Sequence, residues 1–229
     1  EASSLSRFVL SARVSSSSSV PDACMLRSLA LLSLPLVALL VAFAPWDGRA
    51  QSPTEATLTF AVEEEEQARQ QLRRLLSTYA LDPWIVTTRV KIAAGEIPHS
   101  HPVLTLNTKY LDDDARQLST FLHEQMHWYE SADENEAAVD RAIDALREQY
   151  PDPPPHDEIG TRSAYSTYLH LMVNWLTFDA LRHLLGETEA RVLVDANPIY
   201  RWVNQRVLED TKAIGAILEA EALIIEPNE

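Results

Sequence analysis

The sequence predicts an α+β fold that is mostly helical, with a small antiparallel β-hairpin ahead of the principal helix. From Asp112 onward, apolar residues recur at the spacing of helices. Between Trp84 and Ile92 they alternate with a period of two, and Val103–Leu106 forms a second short strand-like run. Gly95 and Pro98 lie between these two runs and predict the turn of the hairpin.

The composition excludes several classes of protein. The chain has 229 residues, with 34 acidic and 19 basic side chains, a net charge of −15 and one cysteine. Nucleic-acid binding is not expected, because phosphate neutralisation requires clustered Lys and Arg. A single cysteine can form neither an internal disulfide nor a cysteine-based zinc finger.

Residues 25–50 have the pattern of a signal peptide. Arg27 supplies the positive start, Leu29–Ala44 is almost wholly apolar, and small residues occupy the cleavage positions Gly48 and Ala50. A retained membrane anchor is the alternative, but Pro35 and the small residues favour cleavage. We therefore expect an exported protein, periplasmic or secreted, with no membrane association after cleavage.

The folded domain is expected to comprise residues 51–229. Residues 1–24 lack an initiator methionine and contain a run of serines, so they are interpreted as a non-native or disordered leader. The helices predicted in the remainder are Ala61–Ala80, Asp112–Tyr129, Ser131–Gln149, Thr161–Leu185, Glu187–Asp195 and Pro198–Ala222. Ser131 and Glu134 have the spacing of a capping box, and Gly186 is placed to end the fourth of these helices.

The segment His123-Glu124-Gln125-Met126-His127 lies within the second predicted helix. His123 and His127 are one helical turn apart, so both imidazoles face the same way. That separation suits two ligands of one tetrahedral Zn²⁺, and Glu124 is placed to contact water on the metal rather than the metal itself. Imidazole ligation makes zinc the expected ion.

This segment resembles the HExxH motif of the zincin metallopeptidases. The order of a strand followed by the motif helix extends the likeness over Ile85–Tyr129. Further stretches resemble an uncharacterised family of small exported bacterial proteins with an HEQxHW motif. They are Pro98–Thr108, His123–Trp128, Thr167–His170 and Tyr200–Val203. The resemblance implies a single zincin-like domain that binds zinc and hydrolyses a peptide or protein substrate.

A catalytic zinc site needs a third protein ligand, and His170 is the preferred candidate. It lies in a strongly apolar predicted helix, on a polar stripe whose members are Ser163, Thr167, His170, Asn174 and Thr177. Buried polar groups require partners, and a metal facing the stripe would supply one. A core histidine bonded to a carbonyl is the alternative. The other candidate ligands are Glu148, Asp133, His156 and Glu158.

Three further residues carry weaker signals. Tyr200 is a candidate catalytic residue, because its hydroxyl could donate a hydrogen bond to an oxyanion, although aromatic packing also explains it. His99 and His101 lie two apart on a predicted strand edge and would point the same way, but they also fit a loop between two prolines.

The predicted function is that of an exported zinc-dependent peptidase, in which a metal-activated water attacks the peptide bond and Glu124 acts as general base. The hairpin would offer a main-chain edge to which an extended substrate could add as a strand. An inactive zincin-like protein that binds a metal or a partner is the alternative. A metal-free helical domain, with His123 and His127 in structural roles, also remains open.

Overall fold

A computed structural model describes residues 53–227 of the chain. The predicted leader, residues 1–24, and the predicted signal peptide, residues 25–50, lie outside the described residues. Between residues 53 and 227, no helix combines the length and the apolar character needed to cross a lipid bilayer.

Most of the described residues are helical, as predicted, and the small two-stranded sheet is compatible with the predicted α+β class. The helices are α1 (Pro53–Thr78), α2 (Asp114–Glu130), α3 (Glu136–Gln149), α4 (His156–Ile159), α5 (Ala164–Leu185), α6 (Glu187–Asp195), α7 (Arg201–Glu209) and α8 (Thr211–Ala220). The strands are β1 (Val90–Ile92) and β2 (Leu104–Leu106).

The predicted antiparallel hairpin is wrong, because β1 and β2 pair in parallel, with Val90 opposite Leu104. The chain reverses twice between the two strands. After the first reversal His99 pairs antiparallel with Thr105, through Thr105 N–H to His99 O at 2.7 Å and His99 N–H to Thr105 O at 3.1 Å. The second reversal returns the chain to the direction of β1. As a result β2 has a backbone partner on each side.

Helix α5 forms the centre of the core. Nearly every residue from Thr167 to Leu181 is buried, and α2, α3, α6, α7 and α8 all pack against it. Ser163 caps its start by accepting a hydrogen bond from Ser166 N–H, and it ends at Gly186, whose φ of +86° is readily available only to glycine. The predicted end at Gly186 is therefore confirmed.

Helix α2 is anchored at its start by α1 and along its length by the core. The Gln71 side chain donates hydrogen bonds to Tyr110 O at 2.8 Å and to Asp114 Oδ1 at 2.9 Å. Buried apolar residues hold the helix against α5, namely Leu118, Phe121, Leu122 and Met126. These contacts fix the orientation of the helix that carries the histidine motif.

Several predicted helix boundaries are wrong. Helix α1 begins at Pro53 instead of Ala61, and α5 begins at Ala164 instead of Thr161. Ser131 donates its hydroxyl proton to His127 O at 2.8 Å, so it closes α2 instead of capping α3, which begins at Glu136. The predicted helix Pro198–Ala222 is divided at Asp210 into α7 and α8.

Candidate metal centre

Helices α2 and α5 bring three histidines together. His123 and His127 lie one turn apart on α2, and His170 projects from the facing surface of α5. One ring nitrogen from each residue lies within 4.8 Å of those of the other two. The ring centroids are 4.9 Å apart for His123 and His127, 5.1 Å for His127 and His170, and 5.9 Å for His123 and His170.

This donor set fits a tetrahedral divalent cation. Nitrogen ligands about 2.1 Å from one zinc ion lie about 3.4 Å from each other, so the rings would need to approach by at most about 1.4 Å. Among residues 53–227, the group of potential ligands contains none of the other candidates, which were Glu148, Asp133, His156, Glu158, His99 and His101. Three imidazoles leave the fourth position of a tetrahedral ion for water.

Hydrogen bonds orient two of the three rings. His170 Nδ1 lies 2.6 Å from Ser166 O, and a carbonyl oxygen only accepts, so Nδ1 carries the proton and Nε2 keeps its lone pair. His127 Nδ1 lies 3.4 Å from the Glu130 carboxylate. Such partners on the outer nitrogen fix the tautomer and the direction of a metal-ligating histidine.

Burial keeps two of the imidazoles neutral at pH 7. It lowers the pKa of His123 well below the usual 6.5, and the charges of His127 and His170 lower it further. Burial also lowers the pKa of His170 to about 4, although the hydrogen bond to Ser166 opposes this change. A neutral imidazole is the form that binds a metal.

Glu124 is buried beside the cluster, with 6% of its surface exposed. Burial raises the pKa of its carboxyl to about 7, and the neighbouring His127 and His99 act in the opposite direction. A carboxyl with a pKa near the working pH is suited to accepting and returning a proton. His99 lies outside the histidine cluster.

Tyr200 lies against the cluster. Its ring centroid is 4.2 Å from that of His170 and 6.2 Å from that of His123. Burial raises the pKa of its hydroxyl, and the charge of Glu124 raises it further, which keeps the hydroxyl protonated and able to donate. Its backbone is left-handed, with φ 59° and ψ 38°. Such a conformation is unfavourable for a bulky residue and is concentrated at functional sites.

Gln125 and Trp128, which lie in and just after the histidine motif, hold neighbouring segments against α2. The sequence analysis did not identify these roles. The buried Gln125 side chain accepts hydrogen bonds from Val86 N–H and Thr87 N–H, both at 2.9 Å, and donates to Thr87 O at 2.8 Å. It thereby ties an extended segment to α2. A glutamine on an apolar helix face was the signal that could have revealed this role, because a buried amide requires partners.

Trp128 holds the loop before β2. Its indole N–H donates to Ser100 O at 2.8 Å, and its ring stacks on His101 with centroids 4.2 Å apart. His101 also contacts Ser131 Oγ at 3.1 Å. The structure therefore gives His101 contacts within the loop and at the end of α2, outside the histidine cluster.

Comparisons of the chain with protein-family models, with curated proteins and with solved structures find no match. The resemblance to the zincins therefore depends on the motif itself. The chemistry open to the site is set by the positions of His123, Glu124, His127, His170 and Tyr200.

Proposed function

We propose that this chain is an exported zinc-dependent peptidase. The observation that carries the proposal is the convergence of three imidazoles from two packed helices, next to a buried carboxyl that is not one of the converging groups. A site with three protein ligands and one position for water is typical of catalytic zinc, whereas structural zinc sites have four protein ligands.

His123, His127 and His170 would hold the ion. A divalent cation bound there supplies a Lewis acid that polarises the substrate carbonyl and makes water acidic enough to react near neutral pH. The partners of His127 and His170, which are Glu130 and Ser166, keep their rings aimed at the ion.

Glu124 would act as general base and then as general acid. Its carboxylate accepts a proton from the attacking water and returns it to the nitrogen of the leaving amine. Burial raises the pKa of this carboxyl to about 7 in the metal-free protein, and a cation bound beside it would favour the ionised form that accepts the proton. Tyr200 would donate its hydroxyl proton to the oxygen of the developing oxyanion.

The strand edge that was expected to bind the substrate is not free. An extended peptide cannot pair with β2, because β1 and His99 already occupy its two sides. A cavity of about 340 Å³ at the end of α2 is lined mostly by acidic residues, which are Glu130, Asp133, Glu136 and Asp140. Of these, the Glu130 carboxylate lies 3.4 Å from His127 Nδ1. With a net charge of −15, the chain is expected to attract peptides that contain lysine or arginine.

The decisive test is the Glu124→Gln variant, assayed with zinc on a peptide library that includes lysine- and arginine-containing sequences. We expect kcat/KM to fall by about 10²- to 10⁴-fold, the usual contribution of a general base, while zinc binding is unchanged. Glu148→Gln is the matched control, because Glu148 lies on α3 outside the cluster, and it should keep full activity.

Two outcomes would contradict the proposal. A wild-type protein that binds zinc but cleaves no library peptide would favour the inactive metal-binding alternative. Less than about half an equivalent of zinc in the gently purified protein would favour the metal-free helical domain, since a three-histidine site loads at about one equivalent.

A further inference from the structure

Two buried asparagines form a hydrogen-bonded pair next to His123. Asn174 is one turn after His170 on α5, and Asn204 is on α7; their exposed fractions are 6% and 5%. Asn174 Nδ2 donates to Asn204 Oδ1 at 2.8 Å. The polar atoms of buried amides normally all form hydrogen bonds, because a buried donor or acceptor without a partner destabilises the folded protein.

One group in this network is incomplete. Asn174 Oδ1 is buried and, within residues 53–227, receives no well-formed hydrogen bond. The same amide is near enough to the His123 ring to raise the pKa of that imidazole by hydrogen bonding, against the larger lowering by burial. The ring N–H of His123 is therefore the available donor for this orphaned oxygen.

The direction of the network is fixed at its far end. Asn204 Nδ2 donates to Ile199 O at 2.9 Å, and a carbonyl oxygen can only accept. Asn204 must therefore turn its oxygen to Asn174, and Asn174 must turn its NH₂ to Asn204 and its oxygen to His123. If either amide were rotated by 180°, two oxygens or two NH₂ groups would face each other inside the core, and neither pair can form a hydrogen bond.

We infer that Asn174 and Asn204 are positioning residues which place the proton of His123 on the ring nitrogen facing Asn174 and thereby present the other nitrogen, with its lone pair, to the metal. The inference rests on the metal centre of the proposed function and not on turnover. In this arrangement each of the three histidines has a hydrogen-bond partner for the ring nitrogen that does not face the metal. The partner is Ser166 for His170, Glu130 for His127 and Asn174 for His123.

The anchor of the network is next to the candidate oxyanion donor. Ile199 O belongs to the peptide that precedes Tyr200, whose backbone is left-handed. Asn204 N–H also bonds to Tyr200 O at 2.9 Å. The same asparagine thus holds the backbone on both sides of Tyr200 and, through Asn174, orients His123.

The test measures the tautomer of His123 by ¹⁵N NMR in the metal-free protein, together with zinc affinity by competition with a chromophoric chelator. In the wild type we expect one tautomer, with the proton on the nitrogen that faces Asn174. Within residues 53–227 the Asn204 side chain hydrogen-bonds to Asn174 and Ile199 and to no histidine. Asn204→Leu therefore removes no direct partner of a histidine, yet it frees the Asn174 amide to rotate. We expect mixed tautomers and an affinity about 10- to 100-fold lower, the usual effect of losing an outer partner.

Thr177→Val is the matched control. Thr177 is buried on the same stripe of α5, but its hydroxyl donates to Val173 O within the helix. This variant loses a buried hydroxyl and should keep both the tautomer and the affinity of the wild type. If Asn204→Leu does not fold, Asn204→Ser, which also cannot bridge Ile199 and Asn174, takes its place.

A wild-type protein with the proton of His123 on the opposite nitrogen would overturn the inference, as would an Asn204 variant with unchanged tautomer and affinity. Neither readout depends on catalysis. A protein that shows the expected tautomers and affinities but cleaves no peptide would refute the peptidase proposal alone. If the protein binds no metal, the NMR measurement of the His123 tautomer alone supports or overturns the inference.

Discussion

At the scale of single residues, Tyr200 combines an unfavourable backbone with a well-defined environment. Its left-handed conformation costs on the order of 1–3 kcal/mol, which the surrounding contacts must offset. The ring lies against His170, and the charge of Glu124 reaches its hydroxyl. This arrangement places the Tyr200 ring against two of the candidate metal ligands.

Tyr200→Phe tests that role. Because the hydroxyl is expected to act only on the oxyanion, kcat should fall about 10²- to 10³-fold, the effect of removing one such donor, with KM little changed. Steady-state kinetics and zinc titration provide the measurements, and zinc affinity should match the wild type. Tyr110→Phe, at the opposite end of α2, is the control. Equal kcat values for the two variants would reduce Tyr200 to a packing role.

The sequence allows some of the site to be predicted and not the rest. His123 and His127 are related by the helical period, so their common direction follows from spacing alone. His170 was identified by a polar stripe on an apolar helix, and the structure places it within 4.8 Å of the other two. Gln125 and Asn204 were missed, because their partners are backbone groups and amides brought close only by tertiary packing.

At the scale of secondary-structure elements, α8 packs closely on α5 through a glycine. A Cβ atom added to Gly215 would lie 2.6 Å from Cζ2 of Trp175, well inside van der Waals contact. The indole cannot easily retreat, because its N–H donates to Thr211 O at 2.7 Å at the start of α8. The absence of a side chain at Gly215 is what allows the two helices to approach.

Gly215→Ala should therefore destabilise the protein by about 1–3 kcal/mol, as overpacking usually does, although alanine is the better helix former by up to about 1 kcal/mol. Urea unfolding provides the measurement. The matched comparison is the same change in a Trp175→Phe background, where the smaller ring should remove most of the penalty. A Gly215→Ala protein at least as stable as the wild type would contradict this account of the packing.

The strands illustrate what periodicity cannot predict. The alternating run Trp84–Ile92 overlaps β1 only at Val90–Ile92, so most of the predicted strand is wrong. Alternation is also the same for parallel and antiparallel pairing. The chain does reverse between Ile92 and His99, where the turn was predicted, and a second reversal between His99 and Thr105 restores the direction of β1. Tertiary pairing therefore decided the topology, whereas the apolar period of α5 and its final glycine were sufficient to predict that helix.

At the scale of the whole molecule, the candidate metal centre joins the two most central helices. His123 and His127 belong to α2 and His170 belongs to α5, which packs against most of the other helices. An ion bound by all three would hold these helices together in the folded state only. Binding to the native state alone stabilises a protein by mass action.

We therefore expect zinc to raise the melting temperature. Free zinc at 100 times its dissociation constant should add about 2.7 kcal/mol, or about 5–10 °C for a protein of this size. Differential scanning calorimetry with zinc and then with excess chelator provides the measurement. His170→Ala should abolish the shift, and His183→Ala, an exposed histidine near the end of the same helix, should keep it. An undiminished shift in His170→Ala would exclude that residue as a ligand.

The division of the donors between α2 and α5 also has a consequence for the order of events during maturation. Before α5 packs against α2, only the imidazoles of His123 and His127, which lie on the same helix, are close together. Tight capture of the ion must then follow the assembly of the core, so an exported chain would acquire its metal in the compartment where it folds.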